Sequence, residues 1–148
     1  MISPELLRRY SCFAPISEQT LVAVAMIGEE AFVPAGTRLF GEGDPADTLS
    51  LIMEGEVDIQ YTLKSGEVRT VDTLVAGDLL GWSAMIEPCK RSAIATARKD
   101  TRLIRIAAQQ LRELCDRDCS LGYRLLGQLV KLLADQLEGA RVQLATFL

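Results

Sequence analysis

The chain of 148 residues contains no histidine. That absence removes every Ser–His and Cys–His nucleophile pair. It also removes His-ligated zinc and iron centres, including the His-rich cluster of metal-binding β-barrels. With these routes closed, the chain is read as a non-enzyme that needs no cofactor. Cysteine is sparse: Cys12, Cys89, Cys115 and Cys119. Cys115 and Cys119 lie four apart and would share a helix face. Cys12 and Cys89 sit in separate segments, with no zinc-ribbon or ferredoxin spacing. The four thiols therefore read as small reduced residues rather than metal ligands. Long apolar runs are also missing. The longest obvious one, Leu21 to Ile27, is far below the ~18 residues of a membrane span. The N-terminus MISPELLRRY lacks the basic-then-apolar order of a signal peptide. A cytoplasmic chain with no membrane contact is the expectation.

What is present is a globular composition, 49% apolar and 24% charged, at a length that suits one domain. The net charge of −4 argues against DNA binding over a broad face. The charge is uneven. Residues 1–86 carry 5 basic and 13 acidic side chains, a net of −8, whereas residues 87–148 carry 11 and 7, a net of +4. The basic cluster from Lys90 to Arg105 suits either a small anion or a solvated face.

Three zones follow from periodicity. In residues 1–30, Ser3-Pro4-Glu5 opens one helix, and Ser17 caps a second from Glu18 to about Gly28. In residues 31–106 the period becomes two. Leu49, Leu51 and Met53 alternate with polar neighbours, as do Val57, Ile59, Tyr61 and Leu63. Glycine-containing turns separate about eight short strands, with Ser92–Ala97 and Arg102–Ile106 as the last two. This predicts a mainly β fold, an antiparallel β-roll of jelly-roll type with helices on both flanks. In residues 107–148 the pattern is helical again. A short helix around Gln110–Leu114 breaks near Asp116–Ser120, and a long one runs to the end.

In that last helix Tyr123, Leu126, Val130, Leu133, Leu137, Ala140, Leu144 and Phe147 repeat in steps of three and four. This heptad seam spans roughly 37 Å of helix. A second stripe, Leu125, Leu129 and Leu132, lies beside it. One stripe can cover the β-core while the other meets a second copy. A homodimer through Val130, Leu133, Leu137, Ala140 and Leu144 is therefore predicted.

The chemistry concentrates in residues 77–97. Gly81 starts a turn after a strand and is followed by Trp82, Ser83 and Ala84. Backbone N–H groups of such a turn can point at an anion. Arg91 follows ten residues later and starts the next strand, with the Ser92 hydroxyl beside it. An arginine facing backbone donors makes a compact phosphate seat.

Leu80-Gly81-Trp82-Ser83-Ala84-Met85, five spacer residues, and then Arg91-Ser92-Ala93 with Ala95 and Ala97 resemble the phosphate-binding cassette of the cyclic nucleotide-binding domain family. More narrowly, the chain resembles the ligand-sensing half of catabolite-activator-type bacterial regulators. Glycines 36, 43, 55 and 77 fall where that family turns its strands. The resemblance implies cAMP or cGMP as ligand, Arg91 as phosphate partner, and donors from Gly81 to Ala84. It also places the base near Val71 and Gln136. One position departs. Trp82 stands where binders of this family carry a glutamate that accepts the ribose 2′-hydroxyl, and tryptophan cannot accept it. Losing a hydrogen bond to a charged group predicts roughly 10- to 100-fold weaker binding. The resembled regulators continue into a DNA-reading module. The chain stops at Leu148, so no direct nucleic-acid contact is expected.

Three readings remain open. In the first, a small-molecule sensor binds an anionic ligand and relays it through the last helix. In the second, a structural or interaction protein keeps the fold while Trp82 fills the pocket. A redox sensor using the cysteines is a third.

Overall fold

Residues with period-two patterning form eight strands. These are β1 (Gly28–Val33), β2 (Arg38–Phe40), β3 (Thr48–Glu54), β4 (Glu56–Thr62), β5 (Val68–Val75), β6 (Leu79–Leu80), β7 (Ile94–Ala97) and β8 (Thr101–Ala107). The computed structural model describes residues 1–148. The strands make two four-stranded sheets, in the orders β1-β8-β3-β6 and β2-β7-β4-β5, and all pairings are antiparallel. This is the expected roll of jelly-roll type.

Alternation along the strands divides the core in two. Leu49, Leu51, Ile104 and Ile106 pack with the helices, whereas Ile52, Val57, Leu74, Leu80 and Leu103 fill the space between the sheets. β3 belongs to both clusters because successive side chains leave opposite faces of a strand.

The boundaries differ from the sequence reading where tertiary pairing overrides local pattern. The roll begins at Gly28, which pairs with Ile106, so α2 (Glu18–Met26) stops before it. β7 begins at Ile94 rather than at Arg91 or Ser92. The Arg91 backbone is drawn instead into a loop pairing: its N–H donates to the Asp44 carbonyl at 2.8 Å, and its carbonyl accepts from Gly43 at 2.8 Å. In front of α1 (Pro4–Leu7) the Ser3 hydroxyl makes no capping bond. Ser17 does cap α2, accepting from the Thr20 N–H at 3.3 Å.

α3 (Ala108–Arg117) and α4 (Cys119–Phe147) meet at Asp118. The Asp118 carboxylate accepts from the N–H groups of Ser120 (3.0 Å) and Leu121 (3.4 Å) and from the Thr20 hydroxyl. It thus satisfies two of the orphan donors at the start of α4 and ties them to α2. The Thr20 bond, helped by those two N–H groups, holds the Asp118 carboxyl below its ordinary range. A carboxyl with a lowered folded pKa contributes stability above its unfolded pKa of about 3.9 and loses it on acidification through the folded value. Asp118→Asn should therefore flatten the acid limb of a stability–pH curve measured by urea denaturation. An unchanged acid limb would remove Asp118 from the account.

α4 is a single helix of 29 residues. Leu121, Leu125 and Leu129 are buried against the body and Leu132 is half-buried. The neighbouring stripe faces outward: Val130 is 60% exposed, Leu137 52% and Leu144 61%. Leu133 is half-buried and Ala140 exposed. No helix is long and apolar enough to cross a membrane.

Candidate functional site

Gly81 has φ +92°, in the left-handed region. A Cβ there would sit 2.6 Å from Arg91 Nη1 and 3.1 Å from the Thr48 carbonyl oxygen, so space as well as φ demands glycine. Gly81 leads into a single 3-10 turn, Trp82–Met85. Within the turn the Ala84 N–H donates to the Gly81 carbonyl at 3.1 Å, while the N–H groups of Trp82 and Ser83 find no backbone acceptor. The first donors of any helical turn are orphaned in this way.

Arg91 is the centre of the arrangement and is only 5% exposed. Its Nη1 donates to the Gly81 carbonyl at 3.0 Å. Its Nη2 donates to the Thr48 carbonyl at 2.8 Å and reaches the Thr48 hydroxyl at 3.3 Å. The guanidinium carbon lies 4.2 Å from the centroid of the Phe40 ring, a cation–π distance. Its Nε is buried without a partner. Arg91 takes part in none of the ion pairs of the structure. Burial pulls its pKa down from the ordinary value, and Asp47 and Asp44 nearby push the other way. Arginine keeps its proton under such pressure. The result is a buried positive charge held by carbonyl dipoles and an aromatic face, with Asp44 and Asp47 nearby but neither in direct ion-pair contact.

Two adjoining spaces lie near it. The inner recess, about 40 Å³, is lined by Gly81, Trp82, Ser83, Arg91, Ser92, Ala93 and, from α4, Gln136. The outer cleft, about 490 Å³, runs between β5 and α4 and is lined by Val71, Gln136, Gly139 and Ala140 among others. Ile59, Tyr61, Leu74, Leu132 and Gln136 border both spaces. Val71 stands at a register shift in β5: Thr70 pairs with Gln60 and Asp72 with Ile59, leaving Val71 unpaired. Such bulges re-aim side chains.

One residue assigned from sequence is not brought to the cleft. Ala84 is fully buried with Ala46 and Ala108, and its N–H is used inside the turn. Its carbonyl instead accepts from the Arg112 guanidinium and, at 3.8 Å, from the Cys89 thiol. Ala140, read from sequence only as part of the outer seam, also borders the cleft. Phe40 and Thr48 were missed. Phe40 precedes a glycine turn whose residues show its place but not its contact. Thr48 acts through its carbonyl, which every residue possesses.

The cysteines are dispersed, and all four are free. Burial pushes the Cys12 thiol up to about 12. Burial, with Asp116 and Asp118 nearby, pushes Cys115 up to about 11. Both are thereby kept as thiols, the unreactive form. No group of three or more Cys, Asp or Glu residues is placed to hold a metal ion.

A two-sheet antiparallel roll, with a cassette turn opposite a buried arginine and a long helix across its open side, defines a class of ligand-sensing domain. The chain belongs to the cyclic nucleotide-binding domain family, whose model matches residues 30–118. It is similar to a CRP-like cAMP-activated global transcriptional regulator of Mycobacterium tuberculosis, 25% identical over 142 residues, which are 95% of this chain and 61% of that protein. Among solved structures it resembles one from Geobacter metallireducens described as a cyclic nucleotide-binding protein. That match has a TM-score of 0.81 and 34% identity, and covers 93% of this chain and 99% of the other. It also resembles the regulatory domain of Toxoplasma gondii PKA in complex with cAMP, with a TM-score of 0.66 and 25% identity over 75% of this chain and 42% of the other. The chain thus spans about three-fifths of the length of the first curated relatives it matches.

Proposed function

We propose that this domain senses a cyclic nucleotide, cAMP or cGMP. Its phosphate would sit between Arg91 and the free N–H groups of Trp82 and Ser83, and its base would lie in the cleft between Val71 and Gln136. The observation that carries this reading is the buried, ion-pair-free Arg91. A buried charge with no direct ion-pair partner is costly, and an arriving anion would lower that cost. The Ser92 side chain is exposed beside it and adds a hydroxyl donor. The outer cleft of about 490 Å³ lies within the range of roughly 300–1,000 Å³ typical of small-molecule sites. The ligands of the mycobacterial and Toxoplasma relatives support the same class.

Binding under α4 would alter the setting of that helix and so the contact it makes with a second copy, the relay of the sensor reading. The domain carries out no chemical step in this reading.

Trp82 favours a second reading, an interaction protein with a closed recess. Its half-buried indole packs against the helical core cluster and borders the recess of only about 40 Å³. Calorimetry with cAMP and cGMP separates the two. If the missing carboxylate is the only defect, Trp82→Glu should bind cyclic nucleotide about 10- to 100-fold more tightly than wild type. Equal or weaker binding by Trp82→Glu, together with silence from wild type, would mean that the recess is closed by shape.

A further inference from the structure

We propose that the mouth of the outer cleft is a charge filter that admits ligands carrying one phosphate and rejects those carrying two. The inference rests on the sensor reading above and adds to it the class of nucleotide.

The cleft is polarised. The adjoining recess holds the Arg91 guanidinium. The cleft itself is lined by three carboxylates, Asp72, Asp78 and Asp135, and by no lysine or arginine. The acids come from both walls, Asp72 and Asp78 from the roll and Asp135 from α4. None of the three forms an ion pair. The Asp72 carboxylate accepts only from the adjacent Thr73 N–H (2.9 Å), and that of Asp78 from the Val75 N–H (2.8 Å). These bonds orient the two acids without cancelling their charge.

A ligand whose single phosphate reaches Arg91 leaves an uncharged ring in the acidic part, where Gln136 and Gln143 offer neutral amides. A cyclic dinucleotide cannot be accommodated in that way. With one phosphate at Arg91, its second would extend into the cleft lined by the three carboxylates, where like charges repel. Nucleotides with a free second phosphate meet the same barrier. Rejection through repulsion needs no contact with the base.

The test is calorimetric titration of the full chain with cAMP, cGMP and cyclic di-GMP at low ionic strength, reading the ratio of mononucleotide to dinucleotide affinity. Wild type should favour the mononucleotide by at least about 10-fold. The double variant Asp72→Asn/Asp135→Asn should shrink that ratio by about 10-fold, and added salt should shrink it in wild type by screening. The double variant Glu29→Gln/Glu113→Gln, two exposed charges on β1 and α3, should leave the ratio unchanged, which controls for net charge. A ratio unmoved by Asp72→Asn/Asp135→Asn, or wild type that binds the dinucleotide as tightly as the mononucleotide, overturns the filter and leaves the sensor intact. No binding of any nucleotide to wild type or variant overturns both.

Discussion

Arg91→Ala is expected to reduce cyclic-nucleotide binding at least about 100-fold and to destabilise the fold. Both effects come from one side chain with two duties. As the buried cation, Arg91 supplies the charge that a phosphate would meet. Removing the charged partner of a buried pair costs about 2–5 kcal/mol in binding. As a strut, it spans the Gly81 and Thr48 carbonyls at 3.0 and 2.8 Å. Its loss takes this donor from the Thr48 carbonyl, at roughly 1–3 kcal/mol if that buried group is left unsatisfied, while the Gly81 carbonyl keeps the Ala84 N–H. Arg91→Lys separates the duties. An ammonium keeps the charge but lacks the planar fork that reaches both carbonyls, so more of the binding than of the stability should survive. Calorimetry and thermal denaturation of the three proteins decide the matter. Wild-type affinity in Arg91→Ala would move the anion seat away from this turn.

Leu137→Glu is expected to convert a dimer into a folded monomer. Val130, Leu137 and Leu144 are each more than half exposed and lie in one stripe of α4. Soluble monomers seldom leave continuous apolar patches of this kind uncovered. A two-fold pairing of α4 with its own copy would cover it, as in other heptad seams. A glutamate at the centre of that seam would place two carboxylates in an apolar contact with no partner. Because Leu137 is 52% exposed, its replacement removes little from the core of a single chain, and the variant should stay folded. Sedimentation measures the outcome. A wild-type protein that remains monomeric at high micromolar concentration would refute the pairing. An unfolded Leu137→Glu would place Leu137 in the core of the domain.

The roll was legible because its strands bury one face, so Leu49 and Leu51 or Val57 and Ile59 announce themselves by alternation. Glycine turns marked the corners, and Gly81 stood out because Arg91 followed at a telling distance. What escaped was set by contacts between segments far apart in sequence. The local pattern puts Arg91 at the start of a strand, since nothing nearby in sequence says that its backbone pairs with Gly43 and Asp44 instead. The cassette pattern offers the Ala84 N–H to the ligand, but that N–H closes the turn on the Gly81 carbonyl and the side chain is fully buried. The acids of the cleft come from β5, the turn before β6, and α4. Only folding brings Asp72, Asp78 and Asp135 to one opening.

α4 also has a mechanical aspect. Leu121, Leu125 and Leu129 pin its first turns to the body, whereas residues 137–148 are all exposed. Gln136, at the cleft, lies about 10 Å beyond Leu129 along the helix axis, and Leu148 about 28 Å beyond it, at 1.5 Å per residue. With Leu129 as fulcrum, a stiff helix pushed about 1 Å at Gln136 swings its tip by nearly 3 Å. In the relay proposed above, this lever would supply gain: a displacement no larger than the fit of one small molecule would become, at the far end, a movement on the scale of a side chain.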